Sequence, residues 1–517
     1  ANNTDALNLP TSWINGVVPG TNDIVQWDYN VTSGQTYSLG TNLAWQGIVV
    51  ASTCSNGFTL GSGYTLTLGS AGLVIVPNKS FTFSCTLALA CDQTWSVANN
   101  TSIPQGGVNL NGYTLSLSGG GAKQFKCTVT GGGQLVNLGS GAIKFTNAGA
   151  AAPATDVVLN GANLTFETST GLAAGPRTQS LTLNNGASLS LGGRSSANTI
   201  ETNANALTLG PGATSSLTIA PNAAKNAQFY SGSFQRATGS GTLLVVGNNL
   251  GSYSLASLTA NSANLVLGTA PALLGAGGAA GSTACSVLPG VYGDTNGSGG
   301  GMGFTTYDTT YGLRPLNLAA EYAATLTSGQ SQLDNVRLTN SANVVLTNTL
   351  TAATTINALS LVADPAFDLT HGMRIDGPGV LKLNSGQIYA ALNASSTSAV
   401  NSITLDCAAL DVNGQEGMFF TRGMGAQGGG SHSGAALDIA CSITNDGGLG
   451  VTFSGNVIKL SGSATNRYTG DTRGAGGLLW LAKNGTSLPG NLVACGASVQ
   501  NTGNQVADNC DVTVTSG

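Results

Sequence analysis

Short stretches in which apolar and polar residues alternate recur along the whole chain. Four clear examples begin at Tyr64, Tyr113, Asn163 and Ala187 and read YTLTL, YTLSL, NLTF and ASLSL. Each follows a glycine directly or after one residue, which is typical of a turn. Alternation with a period of two, bounded by such turns, indicates half-buried β-strands, and helical periodicity is nearly absent. The chain is therefore predicted to be all-β.

The spacing of these segments predicts how the strands are arranged. Their first leucines are Leu66, Leu115, Leu164 and Leu189. The steps between them equal two, two and one copies of a unit of about 24–25 residues, which is enough for three short strands and three turns. Such a unit predicts one coil of a β-solenoid (parallel β-helix), with about 20 coils in a rod about 100 Å long. A β-sandwich is the alternative, but it would not keep a fixed register over so much of the chain.

Interruptions of the pattern suggest a domain organisation. An irregular start containing Trp13 and Trp27 predicts a cap over the first coil, because an uncovered solenoid end exposes a sheet edge. A later Gly-rich stretch predicts a loop insertion. Residues 315–326 at its end form the one expected short helix, with a proline in the first turn. The predicted segments are an N-terminal cap (1–35), a first solenoid part (36–267), the Gly-rich insertion (268–330) and a second solenoid part (331–517).

Composition excludes several classes of protein. Only 8% of the 517 residues are charged, against about 25% in ordinary soluble domains, so long salt-bridged helices and coiled coils are excluded. The net charge of −5 gives no basic surface, and nucleic acid is not an expected partner. No stretch is apolar for long enough to predict membrane insertion. The small, polar start of the chain predicts a secreted protein whose signal peptide has been removed.

Nine cysteines and two histidines limit the metal chemistry. There is no Cys-x-x-Cys pair, and His371 and His432 are the only histidines, so neither a zinc site nor another metal or cofactor is expected. Disulfides in an oxidising compartment are predicted instead, with an odd thiol left free or paired to another chain. Spacing favours Cys495 with Cys510, and Cys85 with Cys91 or Cys54. The candidates are Cys54, Cys85, Cys91, Cys127, Cys407, Cys441, Cys495 and Cys510.

Two groups of ionisable residues are candidates for catalysis, because solenoids include polysaccharide lyases and hydrolases. A hydrolase needs two carboxylates that flank the glycosidic bond. A lyase needs a basic residue beside a calcium-binding acidic group. Solvated polar turns are the simpler interpretation, because aromatic and basic residues for sugar binding are missing nearby, and no enzyme is predicted. The first group is Asp364, Asp368, His371, Arg374 and Asp376; the second is Asp406, Asp411, Glu416 and Arg422.

A third candidate places Ser431 directly beside His432 in a Gly-rich stretch. Sequence neighbours do not by themselves form a nucleophile and its base, and no strand-to-helix elbow surrounds them. We therefore expect a loop at this position.

The C-terminal third resembles a known repeat. Residues 457–462 (VIKLSG), 466–472 (NRYTGDT) and 476–479 (GGLL) are similar to the autotransporter-associated β-strand repeat. Residues 13–23 and 304–322 are similar to segments of large secreted proteins of planctomycete- and verrucomicrobium-like bacteria that carry this repeat. The resemblance implies a solenoid, secretion and an extracellular structural role, and it supplies no catalytic residues.

The last residues of the chain suggest how such a protein could act. Residues 510–514 (CDVTV) alternate like a strand, and an open solenoid end is a template on which another chain can continue the sheet. The expected function is a subunit of an extracellular filament or surface layer that assembles head to tail with itself. The expected assembly edges are Val512, Val514, Trp13 and Trp27.

Two alternatives stay open at this point. The first is a monomeric adhesin or passenger rod that presents loops such as 268–315 to a cell surface or a glycan. The second is a solenoid polysaccharide lyase or hydrolase.

Overall fold

A computed structural model describes most of the chain. About half of the residues lie in β-strands, and the only other regular element among the described residues is one short 3-10 turn at Pro10–Ser12, with no α-helix. They form a β-solenoid of about 16 coils, which confirms the all-β solenoid prediction with somewhat fewer coils than the 20 expected. The described ranges are 3–76, 79, 81–98, 106–146, 151–167, 175–342, 344–363, 372–392, 403–423, 436–494, 497–499 and 505–514.

The first part of the chain winds parallel strands into three stacks around one apolar core. Alternation drives this arrangement, because every second side chain of a strand enters the core. Its strands are β1 (Ile24–Trp27), β2 (Gln35–Tyr37), β3 (Leu43–Val50), β4 (Phe58–Leu60), β5 (Thr65–Ile75), β6 (Phe81–Phe83), β7 (Thr86–Leu89), β8 (Gln93–Val97), β9 (Val108–Asn109), β10 (Thr114–Ser118), β11 (Lys123–Phe125), β12 (Val129–Thr130), β13 (Gln134–Asn137), β14 (Ile143–Phe145), β15 (Ala152–Asn160), β16 (Asn163–Phe166), β17 (Thr178–Asn184), β18 (Ser188–Gly192), β19 (Thr199–Leu209), β20 (Ser215–Ala220), β21 (Ala227–Arg236), β22 (Leu243–Val246), β23 (Ala263–Leu267) and β24 (Val291–Asp294).

The leucine spacing predicted the solenoid but not the register. Leu164 pairs with Leu189 in the next coil, as expected. Leu66 instead stacks on Leu87, and Leu115 belongs to the separate stack formed by β8, β10 and β13. The coil from Leu66 to Leu87 is shorter than the predicted unit, and the next coil on this face ends at Val108. The step from Leu66 to Leu115 therefore covers two coils and the turn that leads from Val108 to the neighbouring face. The prediction of one shared register was wrong, because all three faces carry the same alternation of apolar and polar residues.

The predicted Gly-rich insertion contains the end of this first solenoid. Leu243 pairs with Val291 across an unusually long coil, so β24 still belongs to the stack. This long coil is one reason why the solenoid has fewer coils than the sequence predicted. Two further strands, β25 (Met302–Asp308) and β26 (Gly312–Pro315), pair antiparallel and close the end. The helix expected at residues 315–326 is absent. Its first residue ends β26, and the Glu321 carboxylate accepts bonds from the backbone N–H of Asn317 and from Arg314, which holds this stretch as turns.

The strands of the second solenoid follow from residue 335 onward. They stack in parallel around a separate core. They are β27 (Asn335–Asn340), β28 (Leu346–Thr349), β29 (Thr354–Ala363), β30 (Met373–Leu392), β31 (Ile403–Asp411), β32 (Gly417–Gly423), β33 (Leu437–Ile439), β34 (Ser442–Asn445), β35 (Val451–Gly455), β36 (Val457–Leu460), β37 (Arg467–Tyr468), β38 (Thr472–Ala475), β39 (Leu478–Leu481), β40 (Leu492–Ala494), β41 (Ala497–Val499) and β42 (Val512–Val514).

The second solenoid runs back along the first instead of extending it. Successive coils of the second solenoid contact successively earlier coils of the first. In order along the second solenoid, the contacts are Gln387 with Gly290, Glu416 with Arg236, and Ala475 with Thr214. The two solenoids therefore lie side by side and antiparallel, and the single straight rod expected from the sequence is replaced by a folded-back pair.

Candidate functional site

The N-terminal end of the first solenoid is closed by the chain's own aromatic residues. The ring of Trp13 lies edge-on to those of Trp27 and Trp45, at centroid distances of 6.4 and 5.9 Å. The indole N–H of Trp13 donates to the carbonyl oxygen of Leu7 at 2.8 Å. The expectation that Trp13 and Trp27 form an open assembly edge is therefore wrong for Trp27, which is buried under Trp13. The solenoid also begins earlier than residue 36, because β1 already pairs with β3.

A cleft of about 490 Å³ lies between this cap and β1. Ile14 and Val17 line it with side chains that are 71% and 68% exposed, which is unusual for apolar residues. Strand β1 forms the opposite wall, and among the described strands it pairs only with β3, on its other side. The cleft thus combines apolar side chains with the free edge of a strand.

The C-terminal end of the second solenoid presents apolar residues in a different way. Val512 and Val514 stack in register on Leu492 and Ala494 of the preceding coil, both of which are buried. Val512 and Val514 are nevertheless 55% and 78% exposed. They occupy the core-facing positions of β42, and no described residue covers them there. The expectation that these two valines lie at an exposed edge agrees with this geometry.

The first ionisable group is a charge-compensated ladder on adjacent coils. The Arg374 guanidinium donates to Asp376 at 3.2 Å and also to Asp406 in the next coil. The hydroxyl of Thr349 donates to Asp376 at 2.7 Å from the other side. The carboxylates of Asp376 and Asp406 are therefore both hydrogen-bonded to side chains of this ladder. Five further candidate residues lie outside the described ranges: Asp364, Asp368, His371, Ser431 and His432.

The second ionisable group is dispersed by the fold. Asp411 forms an ion pair with Lys382 at 3.4 Å, and Arg422 forms one with Asp294 of the first solenoid at 3.1 Å. Glu416 is buried in a third place, between the two solenoids. These residues do not converge on one groove, which is what a pair of glycosidase carboxylates requires.

Glu416 is the centre of a lock between the solenoids. Both of its oxygens accept hydrogen bonds from Arg236, at 2.9 and 3.1 Å. The backbone N–H of Gly239 and the hydroxyl of Thr452 donate to it at 3.2 and 2.6 Å. Burial is the largest single effect and acts to raise the pKa of Glu416, but the charge and hydrogen bonds of Arg236, together with the hydrogen bonds from Thr452 and Gly239, keep this pKa below its ordinary value. Glu416 is therefore engaged as a structural anion.

The described cysteines form no disulfide. All are free thiols, so neither Cys54 nor Cys91 is bonded to Cys85, and Cys495, the expected partner of Cys510, lies outside the described residues. Burial raises the pKa of Cys85 to about 12, which leaves a poor nucleophile. The disulfide prediction was wrong for these residues because most of them fill core positions as small apolar side chains. The free thiols are Cys54, Cys85, Cys91, Cys127, Cys285, Cys407, Cys441 and Cys510.

Two features of these sites were missed from the sequence. The Glu416–Arg236 pair joins residues 180 positions apart, and no local pattern signals such a contact. One feature of the sequence could have indicated that Ile14 and Val17 are exposed. They are apolar residues in an irregular segment without strand alternation, so no pattern assigns them to a core-facing side.

No protein-family model matches this chain, and no significant match is found among curated proteins or solved structures. The resemblance to the autotransporter-associated repeat thus stays a prediction. In the described part of the chain, no helix is long and apolar enough to cross a membrane. Within the same ranges, no group of three or more His, Cys, Asp or Glu residues could hold a metal ion.

Proposed function

We propose that this chain is a secreted structural protein, a subunit of an extracellular filament or surface layer, which associates with itself through the strand edges at its solenoid ends. The observation that carries the proposal is β42, whose core-facing Val512 and Val514 are exposed. An apolar strand with a free edge favours pairing with another strand, since this satisfies the backbone and buries the side chains together.

The antiparallel arrangement defines how two copies would meet. Because the second solenoid runs back along the first, the free edges of β1 and β42 face the same end of the molecule. A second copy must be inverted to bring its edge onto the edge of the first. Repeated contacts of this kind build a staggered filament, and reciprocal contacts build a closed pair.

A rod-like adhesin is the second candidate, and the outer faces of the coils favour it. Neutral side chains form hydrogen-bonded ladders from one coil to the next. Ser188 donates to Asn163 at 2.6 Å, and Asn184 donates to Asn160 at 2.8 Å. Such rows of amide and hydroxyl groups suit contact with carbohydrate hydroxyls.

Assembly of the whole chain tests the first proposal. Light scattering over a concentration series, with electron microscopy of the same samples, should show association of the natural chain. V512K/V514K should weaken this association at least about tenfold, because two ammonium groups would replace apolar area worth about 1.5–3 kcal/mol per valine.

The matched control replaces two other valines that are similarly exposed. Val344 and Val345 are 63% and 51% exposed and stand directly before β28, in the first coil of the second solenoid and at its opposite end from β42. V344K/V345K should assemble like the natural chain. Isolated monomers of the natural chain at high concentration would contradict the proposal, and so would equal loss of assembly in both double variants.

A further inference from the structure

The cleft beneath β1 has the two components of a strand-binding groove. One wall is a strand edge with free backbone donors and acceptors, because β1 pairs only with β3 among the described strands. The cap side carries the exposed apolar residues Ile14 and Val17, and Asp23 and Asp28 also line the cleft. Grooves of this type bind an extended segment by main-chain hydrogen bonds and hold its alternate side chains in apolar pockets.

We infer that this cleft receives the β42 strand of a second, inverted copy, so that Val512 and Val514 of one molecule pack on Ile14 and Val17 of the other. The inference rests on the proposed self-association and names the two surfaces that make it. Its occupant is a second copy of this chain.

The direction of the strands favours this occupant. Every solenoid strand that neighbours β1 or β42 in its stack runs parallel to it. Strand β42 is the last described member of its stack and β1 is the first of the other. When one copy is inverted relative to the other, β42 of the first copy can lie beside β1 of the second copy in the position of a preceding coil. The two strands then pair in parallel, as the strands within both stacks already do.

The side chains agree with this pairing. The β42 strand reads Val-Thr-Val, with both valines at core-facing positions and no charge between them. The cap closes the first core with Trp13, so the incoming valines meet the outer apolar surface of the cap and leave its aromatic packing intact. Contact removes apolar area from water on both molecules, and this is the main driving force of such an interface.

Lysine at the cleft tests the inference from the other side of the interface. In the full chain, I14K/V17K should weaken association at least about tenfold, as V512K/V514K does, because each introduces charge into the same contact. The matched control is again V344K/V345K. Where circular dichroism shows that I14K/V17K disturbs the cap, I14S/V17S replaces it and should weaken association in the same direction.

Mixing two variants gives the sharper result. A copy carrying I14K/V17K retains a natural β42, and a copy carrying V512E/V514E retains a natural cleft. Each alone should associate at least about tenfold more weakly than the natural chain, but their equimolar mixture should recover association, since one natural contact is restored and the other joins opposite charges. A mixture of I14K/V17K with V512K/V514K also restores one natural contact, but its second contact joins like charges, so it should form smaller or weaker assemblies than the charge-complementary mixture.

The possible outcomes separate the inference from the proposed function. If the natural chain associates and I14K/V17K associates equally well, the cleft is not the docking site, although self-association stands. The same conclusion follows if the charge-complementary mixture stays monomeric, or if the cleft captures a different segment of this chain or an unrelated partner. If the natural chain never associates, the proposed function itself fails.

Discussion

The two solenoids bury positive charge in different ways. In the first, the fully buried Arg177 forms two hydrogen bonds with Glu201 of the next coil, at 2.7 and 3.0 Å. In the second, the fully buried Lys483 donates to backbone carbonyls, among them those of Cys441 at 3.0 Å and Ser461 at 2.8 Å. In both solenoids the neighbouring coils supply the partner. Arg177 is hydrogen-bonded to a carboxylate, whereas Lys483 is hydrogen-bonded to carbonyl oxygens, so the two sites should respond differently to mutation and to pH.

The largest effect is expected at Glu201. E201Q leaves the Arg177 guanidinium buried without its counter-charge, and we expect a loss of about 3–5 kcal/mol in the free energy of unfolding. Urea denaturation measures this loss. The double variant R177M/E201L should recover most of it, because two apolar side chains of similar volume avoid the desolvation cost. An E201Q protein as stable as the natural chain would show that this ion pair does not hold adjacent coils together.

A smaller loss is expected when the lock between the solenoids is opened. E416Q should cost about 2–4 kcal/mol, because Arg236 keeps the carbonyl oxygens of Ser240 and Gly241 as acceptors. Since the pKa of Glu416 is lowered in the fold, its contribution is complete above the ordinary glutamate pKa and is lost as pH falls through the folded value. The natural chain should lose this increment in acid, and E416Q should not.

The control for Glu416 is a partly exposed ion pair of the same solenoid. D411N removes the pair with Lys382, and such pairs contribute about 0–1 kcal/mol. Equal losses of unfolding free energy in E416Q and D411N would contradict the assignment of Glu416 as a lock.

The smallest effect is a pH dependence at Lys483. Burial lowers the pKa of its ammonium group to about 8, against about 10.4 in an unfolded chain. Between these values the unfolded chain binds more protons, so this group makes stability rise with pH, by about 1–3 kcal/mol in total. The difference in unfolding free energy between the natural chain and K483M, measured from pH 7.5 to 10.5, isolates this term from other titrating groups. A difference that is flat with pH would contradict a lowered pKa of Lys483 in the fold.

The local pattern predicted part of the fold well and part of it poorly. Alternation around Leu164 and Leu189 predicted strands of adjacent coils, because a half-buried strand needs side chains of opposite character on its two faces. It could not say which face carried Leu66 or Leu115, since all three faces have the same alternation. It also suggested a helix at residues 315–326, where the carboxylate of Glu321 instead binds backbone and guanidinium groups within a turn.

The candidate sites divide along the same line. A strand was predicted at residues 510–514, because alternation is a local property, and Val512–Val514 do form β42. Glu416 was also singled out, but as a member of a candidate catalytic group. Its role as a structural anion depends on Arg236, which the fold-back brings to it from another solenoid.

The amino-acid sequence by itself determined the strands and their winding into a solenoid, because Gly-bounded alternation leaves the backbone little choice other than stacked, half-buried strands. Only the tertiary structure decided that the chain forms two antiparallel solenoids, that Glu416 and Arg236 lock them together, and that both free edges face one end. The physical reason is distance along the chain. Alternation acts between neighbouring residues, whereas the fold-back arises from contacts between residues about a hundred or more positions apart, which no local period encodes.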